Sequence, residues 1–189
     1  DPSSTPAPSA TPVATATPAA GAISISVNFG SYSGFSDTNK AKAQRASVIL
    51  AQVLSSAAFR DRVLAFSWNG SQQFTSTNLT NAEVYDTIIA AKESYNLVEN
   101  HSVDLNLNLY TPSIFNKWGT VGYTYENSDQ IFTNIYYFNS FTEGEIAAHL
   151  AHEWTHKLGF EHDYNSTTIR PYSVPYAIGT IVEDVAKQF

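Results

Sequence analysis

"HLAHEWTHKLGFEHD", residues 149–163, contains four of the five histidines of this 189-residue chain. Together with the residues before it, the stretch has the pattern of a helix: Thr142 is placed to cap the N-terminus, and Glu145 occupies the capping-box position. Gly159 follows the last helical position, where glycine commonly ends a helix because it tolerates positive φ. The sequence therefore predicts a helix over 142–158 that carries a histidine cluster.

Strand and helix patterns alternate in the remainder of the chain. Strand-like alternation of apolar and polar residues is found in three segments, 22–29, 103–110 and 130–139. A short strand after a loop is expected within 117–125. Helical spacing is found in three further segments, 37–66, 79–96 and the tail from about Tyr176. Asp37 is the expected N-cap of the first, and Thr80 or Asn81 of the second. The mixture predicts an α/β (α+β) fold.

The composition excludes or disfavours several classes of protein. Apolar residues make up 43% of the chain and aromatic residues 13%, which is typical of a globular domain. Ten Lys and Arg stand against 17 Asp and Glu, a formal charge of −7 without any basic patch, so nucleic acid is not an expected partner. No apolar run is long enough for a transmembrane segment. There is no cysteine, so any metal site must use nitrogen or oxygen ligands. We expect a monomer.

The first 22 residues differ sharply from the rest. They are "DPSSTPAPSATPVATATPAAGA", rich in Pro, Thr, Ala and Ser and without hydrophobic periodicity. Such a segment cannot bury enough apolar surface to offset the entropy of ordering it. We therefore expect a disordered linker at 1–22 and one folded domain at 23–189. Tethers of this kind often follow an export signal or a membrane anchor, so we expect an exported protein that is secreted, periplasmic or surface-tethered.

The spacing of the histidines predicts a metal site. On a helix, His152 and His156 lie on one face, since residues four apart are neighbours. After the turn at Gly159, His162 can return as a third ligand. Three neutral nitrogens leave one position open, as in catalytic zinc sites. Glu153 lies at the edge of the same face, where it can serve as general base to the attacking water. The sequence thus predicts one catalytic Zn²⁺ and hydrolysis of peptide bonds.

"HEWTHKLGFEH", residues 152–162, resembles the HExxHxxGxxH signature of the metzincin zinc metallopeptidases. With Asp163 it resembles the His-Asp ending of the adamalysin or reprolysin branch. The resemblance implies a twisted sheet with long helices, an active-site helix, a cleft and a small C-terminal lobe that ends in a helix. It also implies a protein or peptide substrate lying extended along the strand at 130–139, taken as the edge of the sheet.

The chain departs from that family at one position. Metzincins carry a methionine in a tight turn under the metal, whereas this sequence has no methionine. Pro175 stands where the methionine would, and its rigid ring could still form the floor of the site. The resemblance implies that a tyrosine near this turn can stabilise the oxyanion, for which Tyr176 is the first candidate and Tyr172 the second. We therefore expect an exported bacterial family that is metzincin-like.

The sequence leaves alternatives open. The third ligand could be Asp163 or Glu183 in place of His162. The protein could also be a non-catalytic, zinc-stabilised binding or adhesion module. The presence of Glu153 argues against such a module, since a purely structural site has no need of that carboxylate. His149, one turn before His152, is either a residue that lines the cleft behind the ligands or an ordinary core histidine.

Overall fold

In the computed structural model, residues 23–68 and 78–189 are described. The linker predicted at 1–22 lies outside them. The described chain has a mixed α/β fold with six helices and one four-stranded mixed sheet, which confirms the predicted fold class. None of the described helices is both long and apolar enough to cross a bilayer.

The strands of the sheet are β1 (Ser26–Ser33), β2 (Ser102–Tyr110), β3 (Gly122–Thr124) and β4 (Gln130–Asn134). Their order across the sheet is β1-β2-β4-β3. The pairs β1–β2 and β2–β4 are parallel, and β3 is antiparallel to β4 at the edge. The sheet therefore ends in a short antiparallel strand, whose outer side is unpaired in the described part of the chain.

The prediction of an edge strand over 130–139 is wrong in two respects. The strand ends at Asn134, whose side chain accepts a hydrogen bond from the Tyr136 backbone N–H and caps a short helix, α4 (Ile135–Ser140). An asparagine cap before the apolar residues turns strand-like alternation into a helical turn. In addition, β4 is an internal strand, and β3 occupies the edge next to it.

The other helices are α1 (Asp37–Leu54), α2 (Ala57–Leu64), α3 (Asn81–Ala90), α5 (Glu143–Lys157) and α6 (Val174–Ala186). Serines account for two differences from prediction. Ser36, rather than Asp37, caps α1 by accepting from the Asn39 N–H. Ser56 caps α2 and so divides the predicted helix at 37–66. The capping boxes of α3 and α5, at Thr80 and Thr142, are confirmed.

The chain departs from the predicted ends of two other helices. The helix predicted at 79–96 ends at Ala90, because Ala91 adopts a left-handed conformation with φ of 49°. Helix α6 starts at Val174, two residues before the predicted position, with Pro175 in its first turn. Proline suits that place because its missing N–H would have no helical partner there.

Helix α5 lies at the centre of the molecule. It packs between α1 and α6 and contacts β3 and β4 of the sheet. Trp154 is completely buried on this helix, and its indole N–H donates to Glu93 Oε1 at 3.0 Å. With its apolar residues buried against these elements, α5 presents the predicted ligands on the side that faces the cleft.

A buried lysine fastens the end of α5 to the edge of the sheet. Lys157 is fully buried, and its ammonium group donates to Thr124 Oγ1 at 2.6 Å and to the carbonyl of Gln130 at 3.1 Å. It also donates to the carbonyl of Ser128 in the β3–β4 turn. The amino group thus joins the end of α5 to β3, to the β3–β4 turn and to the first residue of β4. This contact holds β3 over the helix that carries the histidines.

Candidate metal centre

The three histidines predicted as ligands come together. One ring nitrogen from each of His152, His156 and His162 lies within 4.8 Å of the others. The first two are on α5, and Gly159, with φ of +88°, turns the chain so that His162 returns beneath the helix. Among the described residues, neither Asp163 nor Glu183 belongs to a group of this kind. The geometry therefore favours His162 as the third ligand.

Backbone hydrogen bonds orient each ring of this triad. His156 Nδ1 is 2.8 Å from the carbonyl oxygen of Phe160, and His162 Nδ1 is 3.1 Å from that of Asp163. The ring of His152 is hydrogen-bonded to the backbone of Pro175. In His156 and His162, an Nδ1–H that donates to the carbonyl leaves Nε2 as the free lone pair for a metal.

The triad is neutral at physiological pH. Burial, with smaller effects from neighbouring charges, lowers the pKa of His156 to about 4. Burial and the adjacent histidines also lower the pKa of His152, and burial lowers that of His162. Imidazoles bind metals only when deprotonated, so this environment prepares them as ligands. Three neutral nitrogens suit zinc, and they also suit copper and nickel.

Glu153 lies beside the triad but is more enclosed than its expected place at the edge of the helix face. It is only 6% exposed, although it lines the cleft. Burial raises the pKa of its carboxyl to about 7, with Lys157 opposing the shift. A carboxylate whose pKa lies near neutrality is suited to accept and return a proton at that pH.

Tyr176 is the tyrosine that the structure brings to the triad. Its ring centroid lies 4.6 Å from that of His152 and 5.0 Å from that of His162. Tyr172, the second candidate, lies instead with its ring 6.4 Å from Phe66, outside the residues that line the cleft. Of the two candidate tyrosines, the arrangement therefore favours Tyr176, a choice that the sequence alone could not make.

His149 lies behind Glu153. Its Nε2 is 2.9 Å from Thr133 Oγ1 on β4, and its Nδ1 is 3.8 Å from Glu153 Oε1. Because burial lowers the pKa of His149 to about 4, the ring is neutral at pH 7 and forms no ion pair with Glu153. Gly122 makes room for it: a Cβ there would lie 2.5 Å from His149 Cε1. The glycine within the strand pattern was the signal for this close approach.

The triad lies on the wall of a cleft of about 900 Å³. Strand β3 forms one side, α5 the floor, and the loop after α5 together with α6 the other side. The described residues that line it include five carboxylates and a single cation, Arg170; the carboxylates are Glu126, Glu145, Glu153, Glu161 and Glu183. Sequence analysis missed Arg170, because nothing in its local pattern points to the cleft.

Comparison with protein-family models, with curated proteins and with solved structures found no match to this chain. What the site does is therefore inferred from its own geometry and chemistry. Those are three neutral imidazoles, a buried carboxylate of raised pKa and an adjacent tyrosine, all on the wall of one cleft.

Proposed function

We propose that this protein is a zinc-dependent endopeptidase of metzincin type. His152, His156 and His162 hold one zinc ion, and Glu153 is the general base. The observation that carries the proposal is the convergence of the triad and Glu153 on one cleft, beside a strand edge that is unpaired among the described residues. A structural zinc site is closed by four protein ligands, whereas a catalytic site keeps a position open.

The edge of the sheet supplies the binding mode. Within 23–68 and 78–189, strand β3 pairs with β4 on one side only, and Gly122, Tyr123 and Thr124 line the cleft. An unpaired edge offers backbone N–H and C=O groups to an extended peptide, which can add to the sheet as a further strand. A polypeptide bound in this way would lie with its backbone beside the triad.

Bound zinc supplies Lewis acidity, which lowers the pKa of a water molecule and polarises the scissile carbonyl. Glu153 removes the proton of the attacking water and returns it to the leaving amine. Its pKa of about 7 in the metal-free protein suits both transfers. Tyr176 stands beside the ligands, where its hydroxyl can donate to the developing oxyanion. His149, neutral and buried, lies behind Glu153 and shields it from solvent.

The alternatives differ in their ligands and in the need for Glu153. Asp163 accepts a hydrogen bond from the Asn165 N–H at 3.0 Å, so its carboxylate is engaged in the turn after His162. Glu183 lines the cleft without joining the triad. A non-catalytic module that binds zinc would retain metal and fold but would not require Glu153.

Metal analysis of single variants tests the ligand set. We expect one zinc per chain in the wild type and a loss of affinity of at least 10-fold in His162→Ala. His101→Asn is the matched control, since His101 lies outside the triad and its φ of 55° is one that asparagine tolerates. If His162→Ala binds zinc fully while Asp163→Ala or Glu183→Ala loses zinc, the third ligand is Asp163 or Glu183 and not His162.

A further inference from the structure

Arg170 occupies an unusual place in the cleft. It begins a 3-10 turn, Arg170–Tyr172, between the loop that carries His162 and helix α6. Its guanidinium lies 4.7 Å over the ring of Tyr176, which in turn contacts the rings of His152 and His162. It is the one cation among the described residues that line the cleft.

The guanidinium lacks the partners that the other arginines have. Arg45, Arg60 and Arg62 each lie 3.6 Å or less from a carboxylate oxygen. Arg170 has no side-chain hydrogen bond or ion pair within 23–68 and 78–189, and its Nε is buried without an acceptor. A guanidinium stays charged at any physiological pH, and a buried donor without an acceptor is costly. In native proteins an unpaired buried donor is accounted for by strain, by a water molecule or ion, or by a functional role. The charge of Arg170 has no carboxylate partner among the described residues, so a carboxylate brought by a substrate can pair with it.

We propose that Arg170 binds a carboxylate of the peptide substrate beside the metal triad. This inference rests on the proposed peptidase function and names the substrate feature that the site selects. The planar fork of a guanidinium matches a carboxylate in a bidentate pair, and stacking on Tyr176 fixes the plane of the fork. The carboxylate comes either from an Asp or Glu side chain or from the C-terminus of the peptide.

The negative charges of the cleft restrict the preference for a substrate carboxylate to the position beside Arg170. Five carboxylates line the same cleft, so a peptide carboxylate is repelled along most of its length. An acidic group is therefore accepted at the one position that faces Arg170 and disfavoured at the others.

Matched peptide pairs test the proposal in the zinc-loaded protein. One pair places Asp or Glu against Asn or Gln at each position around the cleaved bond, and the other compares a free with an amidated C-terminus. We expect the carboxylate member of one pair to have the higher kcat/KM. Arg170→Gln should lower kcat/KM for that member by about 10- to 100-fold and leave its amide partner within about 3-fold.

The source of the carboxylate follows from which pair responds to the substitution. A response to amidation assigns the C-terminus, and a response to Asp→Asn assigns the side chain. Arg170→Lys, which keeps the charge without the fork, should retain part of the preference. Arg60→Gln, an exposed arginine outside the cleft, should change neither pair.

A purely structural role for Arg170, such as holding Tyr176, predicts a different result. In that case Arg170→Gln slows both members of each pair equally, and this outcome overturns the proposal. Binding to the Glu153→Gln protein, measured by titration calorimetry, repeats the comparison without turnover. If the wild type cleaves no peptide, the proposed function fails. A carboxylate preference in binding that Arg170→Gln removes would still support the anion site, and no preference would overturn it.

Discussion

Gly122 shows how a single residue in the edge strand shapes the site. An added Cβ would lie 2.5 Å from His149 Cε1 and 2.6 Å from the carbonyl oxygen of Phe132. Both distances are shorter than any ordinary contact, and the second involves backbone that cannot move freely. Only glycine lets β3 lie close enough to α5 for His149 to fit behind Glu153.

Gly122→Ala should therefore destabilise the protein by about 1–3 kcal/mol, the range of overpacked cores, and reduce peptidase activity. Chemical denaturation measures the free energy of unfolding. The double variant Gly122→Ala/His149→Ala should recover part of the loss, because one of the two clashes is removed. An unchanged stability in Gly122→Ala would show that the strand and helix are not in this contact.

The burial of Glu153 gives a second prediction, for the metal-free protein. Its pKa is raised by burial to about 7 from a usual value of 4.5. Stability from the protonated form is therefore present below pH 4.5 and lost as the pH rises through 7. Glu153→Gln does not titrate, so it should become more stable than the wild type with rising pH, by about 3 kcal/mol at most above pH 8.

Thermal unfolding of both metal-free proteins between pH 4.5 and 8.5 provides the measurement. The sequence placed Glu153 at the open edge of the helix face, from which little effect on stability would follow. The structure encloses Glu153, so we expect the difference in stability between Glu153→Gln and the wild type to grow as the pH rises through 7. Parallel stability curves for the two proteins across that range would contradict the enclosure.

Among the secondary-structure elements, α5 was the most predictable. Thr142 and Glu145 define its start, and Gly159 defines its end. The spacing of the histidines defines the face that lies toward the cleft. All of these signals lie within the segment itself, and each indicates one local feature of a helix: its start, its end or one of its faces. The prediction of a single strand over 130–139 was wrong because its apolar alternation suits either a strand or a short helix. The Asn134 cap decides for a helix after that residue.

The edge of the sheet could not be predicted from local pattern at all. Whether a strand lies at the edge depends on which strands pair with it, and β3 contributes only three residues. Its place over α5 depends on Lys157, whose ammonium group binds the β3–β4 turn. A lysine in a helix is expected on the surface, so the sequence gives no sign of this role.

Lys157→Met tests the connection between the two elements. The substitution removes the donor to the hydroxyl of Thr124 and to the carbonyls of Ser128 and Gln130, of which only the Gln130 carbonyl keeps another bond, from the Thr124 hydroxyl. We expect a loss of about 1–3 kcal/mol in stability and faster amide hydrogen exchange in β3 than in β1. Lys187→Met, an exposed lysine on α6, is the control and should change neither. Unchanged exchange in β3 would show that the turn is held by other contacts.

At the scale of the whole molecule, the meeting of the three histidines was predictable and their surroundings were not. His152, His156 and His162 lie within eleven residues of one another, so helix geometry and one turn determine their meeting. Gly122 and Arg170 line the same cleft from a strand edge and a 3-10 turn, and Thr133, on an internal strand, contacts His149 behind it. Their convergence depends on long-range packing, which no local pattern contains.

The buried histidines give the whole protein a dependence on acid. The pKa values of His149 and His156 are about 4 in the fold, lowered mainly by burial from 6.5. The unfolded chain therefore takes up protons first, and the metal-free protein should lose stability as the pH falls from 6.5 through 4. Denaturation midpoints across this range measure it. His149→Gln should flatten the curve, and an unaltered curve would contradict the burial.

We propose above all that Glu153 is the general base for a water molecule activated by a zinc ion, which the three histidines hold. The most direct measurement is the zinc content and peptidase rate of Glu153→Gln beside the wild type, with a broad peptide library as substrate. We predict a folded protein with one zinc per chain whose kcat falls by about 10²–10⁴-fold. Loss of zinc from the variant would make Glu153 a ligand, and full activity against a substrate that the wild type cleaves would place the catalytic base elsewhere.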